Sequence, residues 1–141
     1  MKIEFKNYLG KKGFPDMECE FNENDCAKAF GLSLKRLRKY KGLTLDKLSE
    51  DIEITNPTLN RYESGYNLPS IFMAFKIVNY FDTTIEGMLY AGFAEMLDKK
   101  NGTFQEENKY AENFVGVKEA INKALKNKNT ITFKDHQKKK H

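Results

Sequence analysis

The chain has 141 residues (16.4 kDa), of which 40% are apolar and 31% charged, and its net charge is +4. That size suits one compact domain with additions, and no apolar run approaches the roughly twenty residues of a membrane span. The charged start MKIEFKNYLGKK lacks the apolar stretch of a signal peptide, so a cytoplasmic protein without membrane contact is expected.

In chain order, Ile3 and Phe5 alternate with polar residues, and Met17, Cys19 and Phe21 do the same beyond Gly10-Lys11-Lys12-Gly13. This pattern predicts a β-hairpin, which alone is marginal in water and needs a third strand or a packing partner. Cys19 and Cys26 are the only cysteines; they have no metal-ligand spacing and are expected as thiols. Phe30, Leu34 and Leu37 mark the buried side of a first helix that Gly42 ends. Thr44 caps a second helix carrying Leu45 and Leu48, and Ile52-Glu53-Ile54 is predicted to be the turn after it. Thr55 then caps a third helix. Pro57 lies in its first turn, where a missing amide hydrogen costs least, Leu59 and Tyr62 face the core, and Gly65 stops it. Pro69-Ser70 opens a fourth helix, in which Ile71, Ala74, Phe75, Val78 and Phe81 are expected to face inward. Phe72 and Met73 then lie on a side that something else must cover. Thr83 with Glu86 matches a capping box for a fifth helix through Ile85, Met88 and Leu89. Phe93, Met96 and Leu97 prolong it until Asn101-Gly102 breaks the chain.

Beyond that break, Tyr110, Phe114, Val117, Ile121 and Ala124 step by four, three, four and three residues, a seam suited to helix-on-helix packing. Two roles fit it: a dimerisation element built on Tyr110, Phe114, Val117 and Ile121, or a helix folded back onto Phe72, Met73 and Phe93 of its own chain. Thr130-Ile131-Thr132-Phe133 offers a further alternating segment, and Lys138, Lys139 and Lys140 form a basic tail.

The stretch LKRLRKYKGLTLDKLSEDIEITNPTLNRYESGYNLPS, within residues 30 to 90, resembles the Xre family of phage-repressor and Cro-like helix-turn-helix domains. It joins an Arg in the first helix, a Gly-Leu-Thr before the second, a Glu-x-Gly closing the third and a Pro opening the fourth. The resemblance implies a mainly α fold, a five-helix lambda-repressor-like domain. Here it would carry an N-terminal β-hairpin, a C-terminal helix and a possible small antiparallel sheet with a C-terminal strand. It also implies a structural ion pair between Arg38 and Glu63, and a protein that binds double-stranded DNA as a homodimer. The domains on this reading are 1–29 (hairpin extension), 30–99 (helix-turn-helix domain), 103–134 (C-terminal helix and strand, for dimerisation or packing) and 135–141 (basic tail).

A recognition helix offers its N-terminal side chains to base edges. Asn56, Pro57 and Thr58 should therefore lie nearest the groove floor, with Asn60 and Arg61 one turn later. Asn56 can make a bidentate contact with adenine, Arg61 can bond guanine or a phosphate, and the Thr58 methyl can meet a thymine methyl. Thr44 and Thr55, at helix starts, suit phosphate contacts, as do Tyr66 and Asn67 in the following loop.

Two departures weaken the electrostatics. Leu45 stands where many family members carry Gln, and Gly65-Tyr66-Asn67-Leu68-Pro69 lacks the usual Lys or Arg. Residues 30–95 hold eight basic and eight acidic side chains, 1–29 five against six, and 96–141 eleven against six. The central segment alone is thus expected to bind phosphate weakly at physiological salt, so dimerisation or the C-terminal part would have to add affinity.

Catalysis is not expected. The two histidines, His136 and His141, lie in the tail, and there is no HExxH, phosphate-binding glycine loop or nucleophile elbow. No cofactor or metal is implied. The sequence therefore reads as a sequence-specific transcriptional regulator, a repressor acting as a homodimer on a pseudo-palindromic operator, with a protein or peptide effector open. The alternative is a protein-interaction module, antitoxin-like or adaptor, that binds another protein through its helical domain.

Overall fold

Asn22 decides where the first helix starts. Its side chain accepts from the Asp25 amide at 2.9 Å, and the Asp25 carboxylate accepts from the Asn22 amide at 3.4 Å. This reciprocal box nucleates helix α1, Glu23–Tyr40. The helix thus begins well before Phe30, and a boundary between residues 29 and 30 would cut through it. The computed structural model describes residues 2–5 and 16–112.

The chain is mainly α. Strands β1 (Lys2–Phe5) and β2 (Met17–Glu20) pair antiparallel, with Lys2 opposite Glu20 and Phe5 opposite Met17. Then come α1, α2 (Leu45–Ile52), α3 (Asn56–Glu63), α4 (Ile71–Tyr80), α5 (Ile85–Asn101) and α6 (Glu107–Glu112). The linker Gly10–Gly13, the segment Thr130–Phe133 and the tail lysines lie outside the described residues.

Two apolar clusters divide the interior. The larger joins Phe30, Leu34 and Leu37 of α1 with Leu48, Ile52, Ile54, Leu59, Tyr62, Ile77, Val78, Phe81 and Met88. The smaller joins Phe5 and Phe21 of the hairpin region to Ala29 and Phe93. In it, the ring centroids of Phe21 and Phe93 lie 4.7 Å apart and those of Phe5 and Tyr90 5.8 Å apart, the latter edge-to-face. The packing partner that the hairpin needs is therefore the α1–α5 pair. Those two helices touch closely at Gly92, where a methyl group would occupy the same space as the Ala29 backbone.

Three local expectations are corrected. Ile52 closes α2 rather than joining the turn, and the reversal falls on Glu53, whose φ of 55° is left-handed. Thr84, not Thr83, caps α5, accepting from the Gly87 amide at 2.9 Å; Thr83 is buried instead. On α4 the inward residues are Ala74, Ile77 and Val78, with Phe81 just after, while Ile71 and Phe75 are 86% and 59% exposed. Phe72 is 66% exposed as well, and Met73 is half-buried against the larger cluster.

Helix α6 packs on α1 and α5. Tyr110 is buried there, its hydroxyl donating to Asp98 at 2.6 Å and accepting from the Gln105 amide at 3.0 Å, its ring stacked on Phe104. Tyr110, the first residue of the expected seam, thus has its ring and hydroxyl engaged within the chain. Phe114, Val117 and Ile121, the rest of that seam, lie outside the described residues. Beneath α6, Arg36 bonds Glu95 through Nε at 2.8 Å and reaches Glu107 at 2.9 Å, while Lys99 approaches Glu95 at 3.1 Å.

Candidate nucleic-acid interface

Helices α2 and α3 are short, and their mutual angle depends on the turn between them. Ser49 Oγ donates to the Ile54 carbonyl at 2.6 Å and Lys76 Nζ to the Glu53 carbonyl at 3.4 Å, so both polar ends of the reversal are fixed. Buried Ile52 and Ile54 anchor it from below. Tyr80 of α4 donates to Asp51 at 2.7 Å, and Lys47 lies 3.1 Å from the same carboxylate. The Tyr80 hydrogen bond, then Lys47, holds the Asp51 carboxyl below its usual pKa. The Tyr80 bond ties α2 to α4.

Helix α3 is held from behind by an ion pair that resemblance suggested and spacing could not. Arg38 Nε donates to Glu63 Oε2 at 2.7 Å and Nη2 to Oε1 at 3.0 Å, a bidentate fork, and Nη1 donates to the Leu43 carbonyl at 2.8 Å. The side chains are 12% and 6% exposed, so each charge depends on the other for solvation. Leu59 and Tyr62 are buried on the same side. At Gly31 of α1, a methyl would collide with the Tyr62 carbonyl, so α3 lies almost directly on the α1 backbone.

The other side of α3 is polar. Thr55, Pro57, Asn60 and Arg61 are exposed, and Asn56 and Thr58 half-buried. Thr44 caps α2, accepting from the Lys47 amide at 3.0 Å. Thr55 holds the N-cap position of α3 but makes no side-chain cap bond; its hydroxyl instead meets that of Thr58 at 2.8 Å. The Thr55 side chain therefore does not cap the first-turn amides of α3, those of Asn56 and Thr58. Asn56 Nδ2 donates to Asp46 Oδ1. That bond uses one of the two hydrogens of the side-chain amide and fixes the orientation of its plane. The Arg61 guanidinium lies 5.9 Å from the Tyr66 ring centroid, a cation–π contact that extends the helix surface into the loop containing Asn67.

Sequence reasoning missed two parts of this surface. Asp46 lies across from Asn56 because α2 and α3 meet at their N-terminal ends, and no local pattern announces that contact. Glu23 and Asn24 of α1 line a cleft with Thr58, Arg61 and Tyr66; the Asn22-x-x-Asp25 box would have revealed this early start of α1.

Residues 34–88 match a family model described as helix-turn-helix. The matched segment is an Xre-type helix-turn-helix domain. It takes in the last seven residues of α1, all of α2, α3 and α4 and the first turn of α5. The hairpin, the first eleven residues of α1, the rest of α5 and α6 lie outside the match. The matched family is one of DNA-binding domains. Comparison with curated proteins found no match, and comparison with solved structures found none either. Among the described residues no helix is long and apolar enough to cross a membrane, and no group of three or more His, Cys, Asp or Glu side chains could hold a metal ion.

Proposed function

We propose that the helix-turn-helix domain reads double-stranded DNA with α3 and that the protein is a cytoplasmic transcriptional repressor. It acts as a homodimer on a pseudo-palindromic operator. The observation that carries this reading is the division of α3: Leu59, Tyr62 and Glu63 are committed to α1, leaving Asn56, Thr58, Asn60 and Arg61 directed away from the core. A rigid helix with a polar outer face suits a major groove. Thr44 and Thr55 bind phosphate at the two helix starts, and Tyr66 and Asn67 extend the backbone contacts.

A titration against the DNA upstream of the protein's own gene, with a salt series, tests this. Specific binding that weakens steeply with salt is expected, and Arg61→Ala should cost about 1–3 kcal/mol on the operator if Arg61 touches a base edge. Absent or salt-insensitive binding would favour the adaptor reading, which draws on the equal numbers of basic and acidic residues in the domain and the exposed apolar side of α4.

A further inference from the structure

The outer side of α4 carries an apolar surface that DNA reading does not use. Leu68, Ile71, Phe72 and Phe75 are 38%, 86%, 66% and 59% exposed. Together they offer roughly 450 Å² of apolar area, the scale of the largest patch on a typical monomer and often a functional one.

We propose that this surface is where two copies of the chain pair, with their two-fold axis beside the N-terminal end of α4. The inference rests on the DNA-binding reading above and names the contact that would join its two half-sites.

Charge is the first argument. Ser64 to Phe75 contains no charged residue in a chain that is 31% charged, where about four would be expected in twelve positions. A two-fold contact places each charge near its own copy, so a surface that meets itself is best kept neutral. The lack of Lys and Arg after α3 weakens phosphate binding; for self-pairing it is an advantage. The nearest cation, Lys76, sits at the patch edge with its ammonium 5.3 Å from the Phe72 ring centroid and donates to the Glu53 carbonyl, away from the patch.

Area is the second. Two copies would bury roughly 900 Å² of apolar surface, and a polar rim from Asn67 and Ser70 brings the contact to the ~1,000–1,200 Å² at which specific interfaces begin. Position is the third. A short loop separates the patch from α3, and α4 is fixed by the Ser70 cap, which accepts from the Met73 amide at 3.2 Å. A contact here would hold both recognition helices at a set separation, with no flexible element between.

Sedimentation equilibrium of the full chain, run to several hundred micromolar, tests the proposal. The unmodified protein should reach the dimer mass, and Phe72→Glu should weaken pairing by about thirty-fold or more, as expected for a charge forced into the centre of an interface. Ile85→Glu, at an exposed position on α5, is the control that should leave pairing intact. A protein that stays monomeric, because another protein or its own residues 113–141 occupy the patch, would overturn the proposal. So would a dimer that Phe72→Glu leaves unchanged. Dimerisation lost in Phe72→Glu by a protein that binds no DNA would support the contact and sink the repressor reading; DNA binding by a protein whose pairing ignores Phe72 would do the reverse.

Discussion

Arg36 and Arg38 leave the same helix two residues apart, on nearly opposite sides, and enter two different parts of the molecule. Arg38 turns toward Glu63 and the Leu43 carbonyl, within the helix-turn-helix domain. Arg36 turns toward Glu95 and Glu107, in the layer that α5 and α6 add to it. Both carboxylate partners are nearly dry, Glu63 at 6% exposure and Glu95 at 1%. Their surroundings differ, however. Among the described residues Glu63 pairs with Arg38 alone, whereas Glu95 is shared by Arg36 and Lys99. Arg38 holds α3 against α1 through a single pair among the described residues, whereas Arg36 belongs to a network that can lose a member.

Arg38→Ala should produce the larger effect. It strands a buried carboxylate against α1, which typically costs about 3–5 kcal/mol, and DNA binding should fall with stability because α3 loses its rear support. Thermal denaturation beside a DNA titration would show both losses; a variant as stable as the parent would mean that Glu63 finds another partner. Arg36→Ala should cost less, about 2–3 kcal/mol, because Lys99 still reaches Glu95. Its folded fraction should bind DNA as the parent does. A loss of DNA affinity as large as that of Arg38→Ala would show that the two sides of α1 are coupled.

The same contrast explains what could be read from the sequence. Signals confined to a few residues were legible: Thr44, Ser70 and Gly102 stand at helix ends where their chemistry places them, and Leu59 and Tyr62 face inward at helical spacing. Arg38 and Glu63 are 25 residues apart, and only the family resemblance links them, since no local pattern of their own does. Arg36 and Glu95, 59 residues apart and only partly inside the matched segment, gave no signal. Helix α4 failed for another reason. IFMAFKIV holds seven apolar residues around a single Lys76, so periodicity alone does not choose which side is buried, and Ile71 and Phe75, which fit an inward spacing, face out. Thr83 and Thr84 are adjacent candidates for one cap; the Glu86 match favoured the wrong one, and burial of Thr83 decided otherwise. Asn56 and Arg61 were legible as polar positions on α3, but the Asp46 and Tyr66 contacts that orient them depend on tertiary placement.

Tyr110 gives the smallest expected effect and isolates the added layer. Burial first, then the hydrogen bond to Asp98, pushes its pKa from 10 up to about 12. The folded state therefore prefers the protonated phenol, and this preference contributes stability that is complete below about pH 10 and declines as pH rises toward 12. Tyr110→Phe should cost about 1 kcal/mol at neutral pH for the lost hydrogen bonds, and above pH 10 it should lose less further stability than the parent. Denaturant melts of both proteins at neutral and alkaline pH would measure the two terms. Because Tyr110 and Asp98 lie outside the matched segment, the variant should keep full DNA affinity at neutral pH. If affinity fell in step with stability instead, α6 would be supporting the recognition helix through α1, and the separation between the two arginine networks would not hold.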